Sequence, residues 1–282
     1  MPELPEVETV RLGLEQSVLG KTITNVTQNR ADLRVPFPDN FGERITGSRL
    51  DNLERRGKYI LAHLDNHQVV IIHLGMSGSI KIVPSGSAYD PQKHDHLVLE
   101  FNDGTICAYN DPRRFGMIMM TSNNAVNDHK SFVSMGPEPL SAEFSADILY
   151  QALSKKKSPV KTALLDQRVV AGLGNIYVCE ALFYAGIHPA RIAASITRDE
   201  AALLYSKICE VLHKAIIAGG SSLKDHRQTD GQMGYFQHQF AVYDREGQDC
   251  VRDDCNCGET GGITKLVQAG RSTFYCPLCQ KL

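Results

Sequence analysis

The chain has 282 residues, 42% of them hydrophobic and 22% charged, which is ordinary for a globular protein and enough for two domains or one large one. No apolar run approaches the roughly 20 residues of a membrane-spanning helix, and the start, MPELPEVETV, lacks the basic and apolar regions of a signal peptide, so a cytoplasmic protein is expected. The net charge of −2 speaks mildly against a nucleic-acid partner, but a sum conceals local clusters such as Arg55-Arg56-Gly57-Lys58, Arg113-Arg114 and Lys155-Lys156-Lys157.

In chain order, Val7, Val10, Leu14 and Val18 recur at helical spacing and predict an opening helix that Gly20 ends. Extended or alternating runs follow at Ile23–Val26, Tyr59–Leu64, Val69–Leu74, His96–Phe101, Thr105–Tyr109 and Met117–Thr121. Turn residues such as Ser77-Gly78 and Asn102-Asp103-Gly104 separate them, so residues 1–135 are predicted to form an antiparallel β-sandwich behind a leading helix. Met135-Gly136-Pro137-Glu138-Pro139 marks a boundary, and a helical domain is predicted over 136–239. Within it, Thr197 and Glu200 have capping-box spacing before a helix whose apolar face is Leu204, Ile208, Val211, Leu212 and Ala215. Gly219-Gly220 stops that helix, and 221–239 reads as a mobile loop. The last segment, 240–282, is too small for an apolar core of its own. Five of the eight cysteines fall in 250–282, and such crowding in a cytosolic chain reads as metal ligation before disulfides. The fold class is α+β multidomain.

Pro2 is chemically suggestive. Once Met1 is removed it presents a secondary α-amine with a pKa of about 7.7–8.0, partly unprotonated at neutral pH. Attack on a sugar C1′ gives an iminium that cannot lose a proton to become a neutral imine, so it stays an electron sink that favours elimination. Glu3 beside it is suited to proton transfer. A Met-Pro start alone carries little, since many chains share it. The whole string MPELPEVETV, however, resembles the start of the formamidopyrimidine-DNA glycosylases, and the resemblance continues through the chain.

That resemblance implies an enzyme that excises oxidised purines, 8-oxoguanine and formamidopyrimidines, from double-stranded DNA and then cleaves the strand by β,δ-elimination. It makes Pro2 the nucleophile, Glu3 the acid/base and Lys58 the β-elimination lysine. His73-Leu74-Gly75-Met76-Ser77-Gly78 matches a loop whose methionine, Met76, fills the void of a flipped-out base. Asp111-Pro112-Arg113-Arg114-Phe115-Gly116 matches a string in which Arg113 pairs with the orphaned base and Phe115 wedges between bases. Lys93-His94-Asp95-His96 puts His94 at a DNA-contacting position and is not read as a metal site. Gly172-Leu173-Gly174-Asn175-Ile176-Tyr177 lacks the third glycine of a dinucleotide fingerprint and resembles the turn of a helix–two-turn–helix element. There Asn175 binds phosphate at a helix start, as does Lys156 before it. The segment Gly219–Tyr235 resembles the one that closes over the flipped base.

Cys276-Pro277-Leu278-Cys279 is a firm half-site for one structural Zn2+. Its partner half-site is drawn from Cys250, Cys255 and Cys257; the resemblance favours Cys250 with Cys255, and Cys257 rivals Cys255. Arg271 lies on a predicted hairpin between the half-sites, a C-terminal β-hairpin zinc finger spanning 240–282, and by resemblance it contacts phosphate and assists δ-elimination. A monomer acting on damaged DNA, without membrane association, is implied. Two alternatives stand beside this reading: an endonuclease-VIII-like enzyme for oxidised pyrimidines, and a catalytically silent zinc-finger DNA-binding protein.

Overall fold

The first helix starts where its backbone donors are satisfied. Glu3 is the N-cap of α1 (Leu4–Val18): its side chain accepts from the N–H of Glu6, and the Glu6 carboxylate accepts from the N–H of Glu3 at 2.8 Å. Pro5 occupies the first turn, where its missing N–H costs nothing. Leu4, Val7, Val10, Leu14 and Val18 form one buried stripe.

A computed structural model describes residues 1–221, 229 and 234–282, and they fall into two units, Met1–Val133 with Ile216–Tyr235, and Ser134–Ala215 with Phe236–Leu282. In the first unit α1 is followed by β1 (Ile23–Gln28), α2 (Phe41–Ile45), β2 (Leu50–Arg56), β3 (Tyr59–Leu64), β4 (Gln68–His73), β5 (Ser79–Val83), β6 (Asp95–Phe101), β7 (Ile106–Asn110) and β8 (Met117–Ser122). Two four-stranded antiparallel sheets, ordered β1-β6-β7-β5 and β2-β3-β4-β8, enclose a core that includes Val10, Leu14, Phe41, Ile60, Leu97 and Ile118. Sequence periodicity missed β2, β5 and α2. Strand β2 buries only Leu50 and Leu53 of its first six residues, so it shows no alternation. Strand β5 and helix α2 are five residues each, too short for a periodic signal.

The second unit contains α3 (Ala146–Ser154), α4 (Val160–Leu165), α5 (Asn175–Tyr184), α6 (Arg198–Ile217) and a hairpin of β9 (Thr264–Gln268) and β10 (Arg271–Tyr275). The Thr197–Glu200 capping box forms: Thr197 N donates to Glu200 Oε2 at 2.9 Å and Glu200 N to Thr197 Oγ1 at 3.3 Å. The apolar face expected for α6 is buried. The expected loop 221–239 needs one correction: Phe236–Gln239 form a 3-10 helix, because buried Phe236 packs its ring on Tyr177 at 5.7 Å. Residues 222–228 and 230–233, and with them most of the segment expected to close over a flipped base, lie outside the described residues. The finger draws on a shared core in which Cys179 and Phe183 of α5 meet Ala241, Val242, Ile263 and Phe274. Buried Glu180 reinforces that join by accepting N–H bonds from Ala241, Val242 and Tyr243 at 2.8, 3.0 and 2.8 Å. Among the described residues, no helix is long and apolar enough to cross a membrane.

Candidate functional site

Pro2 is buried and Glu3 is 3% exposed at the start of α1. Glu6 holds this start in place. One of its oxygens accepts from Glu3 N; the other accepts from Ser221 N at 2.8 Å and Ser221 Oγ at 2.9 Å. Sequence reading gave Glu6 no role, although its spacing from Glu3 is that of a capping box. A chain of polar contacts runs from α1 to Gly57, which precedes Lys58. Glu8 pairs with Arg55 Nε at 2.9 Å, Arg55 Nη1 donates to Gly57 O at 3.1 Å, and Lys58 follows in the β2–β3 turn, 8% exposed. His73, paired across the sheet with Tyr59 and stacked on its ring at 4.7 Å, has a pKa lowered to about 4 by burial and by the positive charges of Lys58 and Arg34. Its neutral Nδ1 accepts the N–H of Gly75 at 3.1 Å, fixing the root of the next loop.

Met76, Arg113 and Phe115 are brought together on two abutting loops. A Cβ built on Gly75 would lie 2.3 Å from the Phe115 carbonyl carbon, and one on Gly116 would lie 1.7 Å from the Tyr109 hydroxyl. Only glycine admits such an approach. Asp111, fully buried, is the clamp: it accepts from Ser77 Oγ at 2.5 Å and Gly116 N at 2.8 Å, while Ser77 Oγ accepts Arg113 N at 3.1 Å. The tips stay open. Met76 and Phe115 are 38% and 43% exposed, and the exposed Arg113 guanidinium lies over the Phe115 ring at 5.0 Å. His94 is half-buried and its carbonyl accepts the N–H of Asp111 at 3.1 Å. Beside it, Asp95 accepts from Tyr89, Gln92 and Asn110, and His96 Nε2 bonds Asp111 O at 2.9 Å.

In the second unit, Asn175 is the first residue of α5. Its Nδ2 donates to Ser272 O at 2.8 Å, next to Arg271, and among the described residues its buried Oδ1 has no hydrogen-bond partner. Fully buried Lys161, another residue the sequence reading passed over, donates to the same Ser272 O at 3.1 Å and to Thr273 Oγ1 at 2.7 Å. Two helices therefore grip the strand that carries Arg271, which is exposed and follows a two-residue turn, Ala269-Gly270, with both residues at positive φ. Lys156 is half-buried and paired with Asp166 at 2.9 Å. Hydrogen bonds from Arg168 and Lys156 hold the Asp166 carboxyl well below the usual carboxylate range.

The sulfurs of Cys250, Cys255, Cys276 and Cys279 lie within 4.8 Å of one another, with Cys250···Cys279 at 3.8 Å and Cys255···Cys276 at 3.5 Å. A tetrahedral zinc with Zn–S bonds of about 2.3 Å needs sulfurs about 3.8 Å apart, so the set fits that ion. Burial acts to raise the Cys276 thiol, but N–H groups of Cys279 and Leu278 outweigh it and bring it down to about 7, which favours a thiolate. No other such group of ligands occurs among the described residues.

A β-sandwich opened by a helix that begins at a buried proline and glutamate, together with a helical unit carrying a four-thiol finger, defines a class of two-unit proteins with a structural zinc. Family profiles match three stretches: the formamidopyrimidine-DNA glycosylase N-terminal domain over residues 1–118, the H2TH domain of the same enzymes over 135–227, and the zinc finger found in FPG and IleRS over 247–282. The formamidopyrimidine-DNA glycosylase of Rhodospirillum rubrum is 52% identical over 98% of both chains, and that of Cereibacter sphaeroides 51% identical over the full length of both. The crystal structure of MutM (Fpg) from Thermus thermophilus has a TM-score of 0.86 at 39% identity, covering 99% of this chain and 98% of that one. A Lactococcus lactis Fpg mutant in complex with Fapy-dG-containing DNA has a TM-score of 0.88 at 35% identity over both whole chains. The chain belongs to the formamidopyrimidine-DNA glycosylase family.

Proposed function

We infer that this chain is a base-excision repair DNA glycosylase and AP lyase for oxidised purines in duplex DNA. Full-length family membership carries the reading, and the nucleophile end in hand supports it: a proline held at the start of α1 by the Glu3–Glu6 capping box. After removal of Met1, Pro2 N attacks C1′ of the damaged nucleotide as the base departs with a proton from Glu3. The sugar ring opens and an iminium forms on Pro2. Lys58 takes part in the proton transfers of the β-elimination that breaks the 3′ C–O bond. Arg271 assists the δ-elimination that releases the second phosphate. Met76, Arg113 and Phe115 occupy the space the nucleotide leaves, with Arg113 facing the orphaned cytosine. His94, Lys156 and Asn175 contact DNA, and for Lys156 this requires sharing its charge with Asp166.

Zinc, bound by the four cysteines, holds the finger and supplies no chemistry. The functional parts follow the residues 1–135, 136–239 and 240–282. A monomer in the bacterial cytoplasm, where its substrate lies, completes the proposal. Borohydride trapping on 8-oxoguanine and thymine-glycol duplexes is the test. A covalent adduct is expected preferentially with 8-oxoguanine, mapped by mass spectrometry to the α-nitrogen of residue 2 with Met1 absent, and formed more slowly in Pro2→Gly, whose primary amine gives an imine in place of an obligatory iminium. No adduct, or an adduct mapped to any other nitrogen, overturns the mechanism; preference for thymine glycol overturns the substrate.

A further inference from the structure

The hairpin that presents Arg271 cannot hold its own shape, because two strands joined by a tight turn are marginal in water. On β10 the hold comes from Asn175 Nδ2 and Lys161 Nζ, which both donate to Ser272 O. On β9, Lys265 and Val267 are exposed, and so are Ala269 and Gly270 in the turn. Gln268 is the half-buried residue between them, directly across from Arg271 in the antiparallel register. Both ends of its carboxamide are engaged. Its Oε1 accepts from Thr273 Oγ1 at 3.0 Å, which closes the hairpin crosswise, and its Nε2 donates to Pro189 O at 3.2 Å. Thr273 Oγ1 in turn accepts from Lys161 Nζ at 2.7 Å. The Pro189 anchor is itself fixed. Lys161 N donates to the same carbonyl at 3.4 Å, and the neighbouring His188 ring meets Tyr275 edge-on at 4.6 Å.

We propose that Gln268 is a positioning residue for Arg271. It ties the strand opposite the arginine to the loop after α5, so that the guanidinium is offered to the sugar–phosphate remnant in one orientation. A glutamine that only solvates a hairpin end spends its amide on water. This one bridges a fully buried threonine and a backbone carbonyl of another element. The inference rests on the reading that Arg271 assists the second elimination. Neither hydrogen bond of Gln268 involves Pro2, Glu3 or Lys58. Its loss is therefore expected to slow the second elimination and to spare the steps before it.

The test follows an abasic-site duplex to its products, the unsaturated aldehyde left by β-elimination and the 3′-phosphate left by δ-elimination. It compares the zinc-loaded full chain with Gln268→Met, Gln268→Ala, Arg271→Ala and the Gln268→Met/Arg271→Ala double variant. Gln268→Met keeps the length of the side chain and removes both hydrogen bonds. In Gln268→Met and Gln268→Ala the rate of the second elimination relative to the first is expected to fall by about 5-fold. The yield of borohydride-trapped adduct should stay within about 2-fold of the parent's, a split that general loss of structure or of DNA affinity would not produce. In the double variant the ratio should fall no further than in Arg271→Ala. A parent-like ratio in Gln268→Met beside a lowered one in Arg271→Ala overturns the proposal alone. So does an adduct yield that falls as far as the ratio, or a double variant lower than Arg271→Ala. A parent-like ratio in Arg271→Ala overturns the role of Arg271, and the proposal with it.

Discussion

Asp111 is a residue whose energy lies in what it satisfies. Removing its carboxylate in Asp111→Ala leaves the Gly116 N–H and the Ser77 hydroxyl without their buried acceptor, which costs about 2–4 kcal/mol. Urea unfolding should show that loss, and excision should fall with it because the fully buried Asp111 holds the loops of Met76 and Arg113 together; unchanged stability would mean that the carboxylate is no clamp. His73 gives a pH signature. Its folded pKa of about 4 lies below the ordinary 6.5, so unfolded imidazole binds a proton that the folded protein refuses. Stability is therefore expected to decline as the pH falls from about 6.5 to 4, by up to about 3 kcal/mol at the lower end. Denaturation of the parent and of His73→Asn at pH 7 and 4.5 checks this, the variant showing a shallower decline. At this scale the sequence offered Pro2, Met76 and Arg113 as candidates from their strings, and the structure places Pro2 buried at the start of α1 and Met76 and Arg113 on abutting loops. It was mute on Glu6, Asp111 and Lys161, whose importance comes from partners as distant in the chain as Ser221 and Ser272.

Glu180 illustrates the same point between elements. A glutamate in the middle of α5 reads as a solvated position, yet it is 1% exposed and caps the turn that begins the finger segment. Burial raises its pKa, and the three backbone donors act against that rise. Glu180→Ala is expected to destabilise the second unit by about 3 kcal/mol or more, because three N–H groups lose a buried acceptor; calorimetry reads it, and a change below about 1 kcal/mol would mean water replaces the carboxylate. Helices α1 and α6 were legible because each buries a continuous stripe and opens with a capping box. Strands β2 and β5 were not, because tertiary pairing decided where local pattern was weak.

For the molecule as a whole, the finger and α5 share one core, so zinc loss reaches further than the hairpin. Chelation is expected to lower the melting transition by more than about 5 °C and to release the near-ultraviolet signal of Tyr243 and Phe274, whose rings meet at 5.1 Å. A transition unmoved by chelator would make the ion dispensable to folding. Net charge misled most at this scale: −2 overall coexists with exposed Arg113 and Arg271. The glycine-to-backbone contact that joins the Gly75 and Gly116 loops has a mechanical consequence. With no side chain between them, the two loops behave as a single stiff tooth, so under the DNA contacts proposed for Met76 and Arg113 a force on the one would be transmitted to the other. Gly75→Ala would split the tooth, and the discrimination between cytosine and adenine opposite the lesion should weaken together with the excision rate; a variant that loses rate but keeps full discrimination would mean that the two probes work independently.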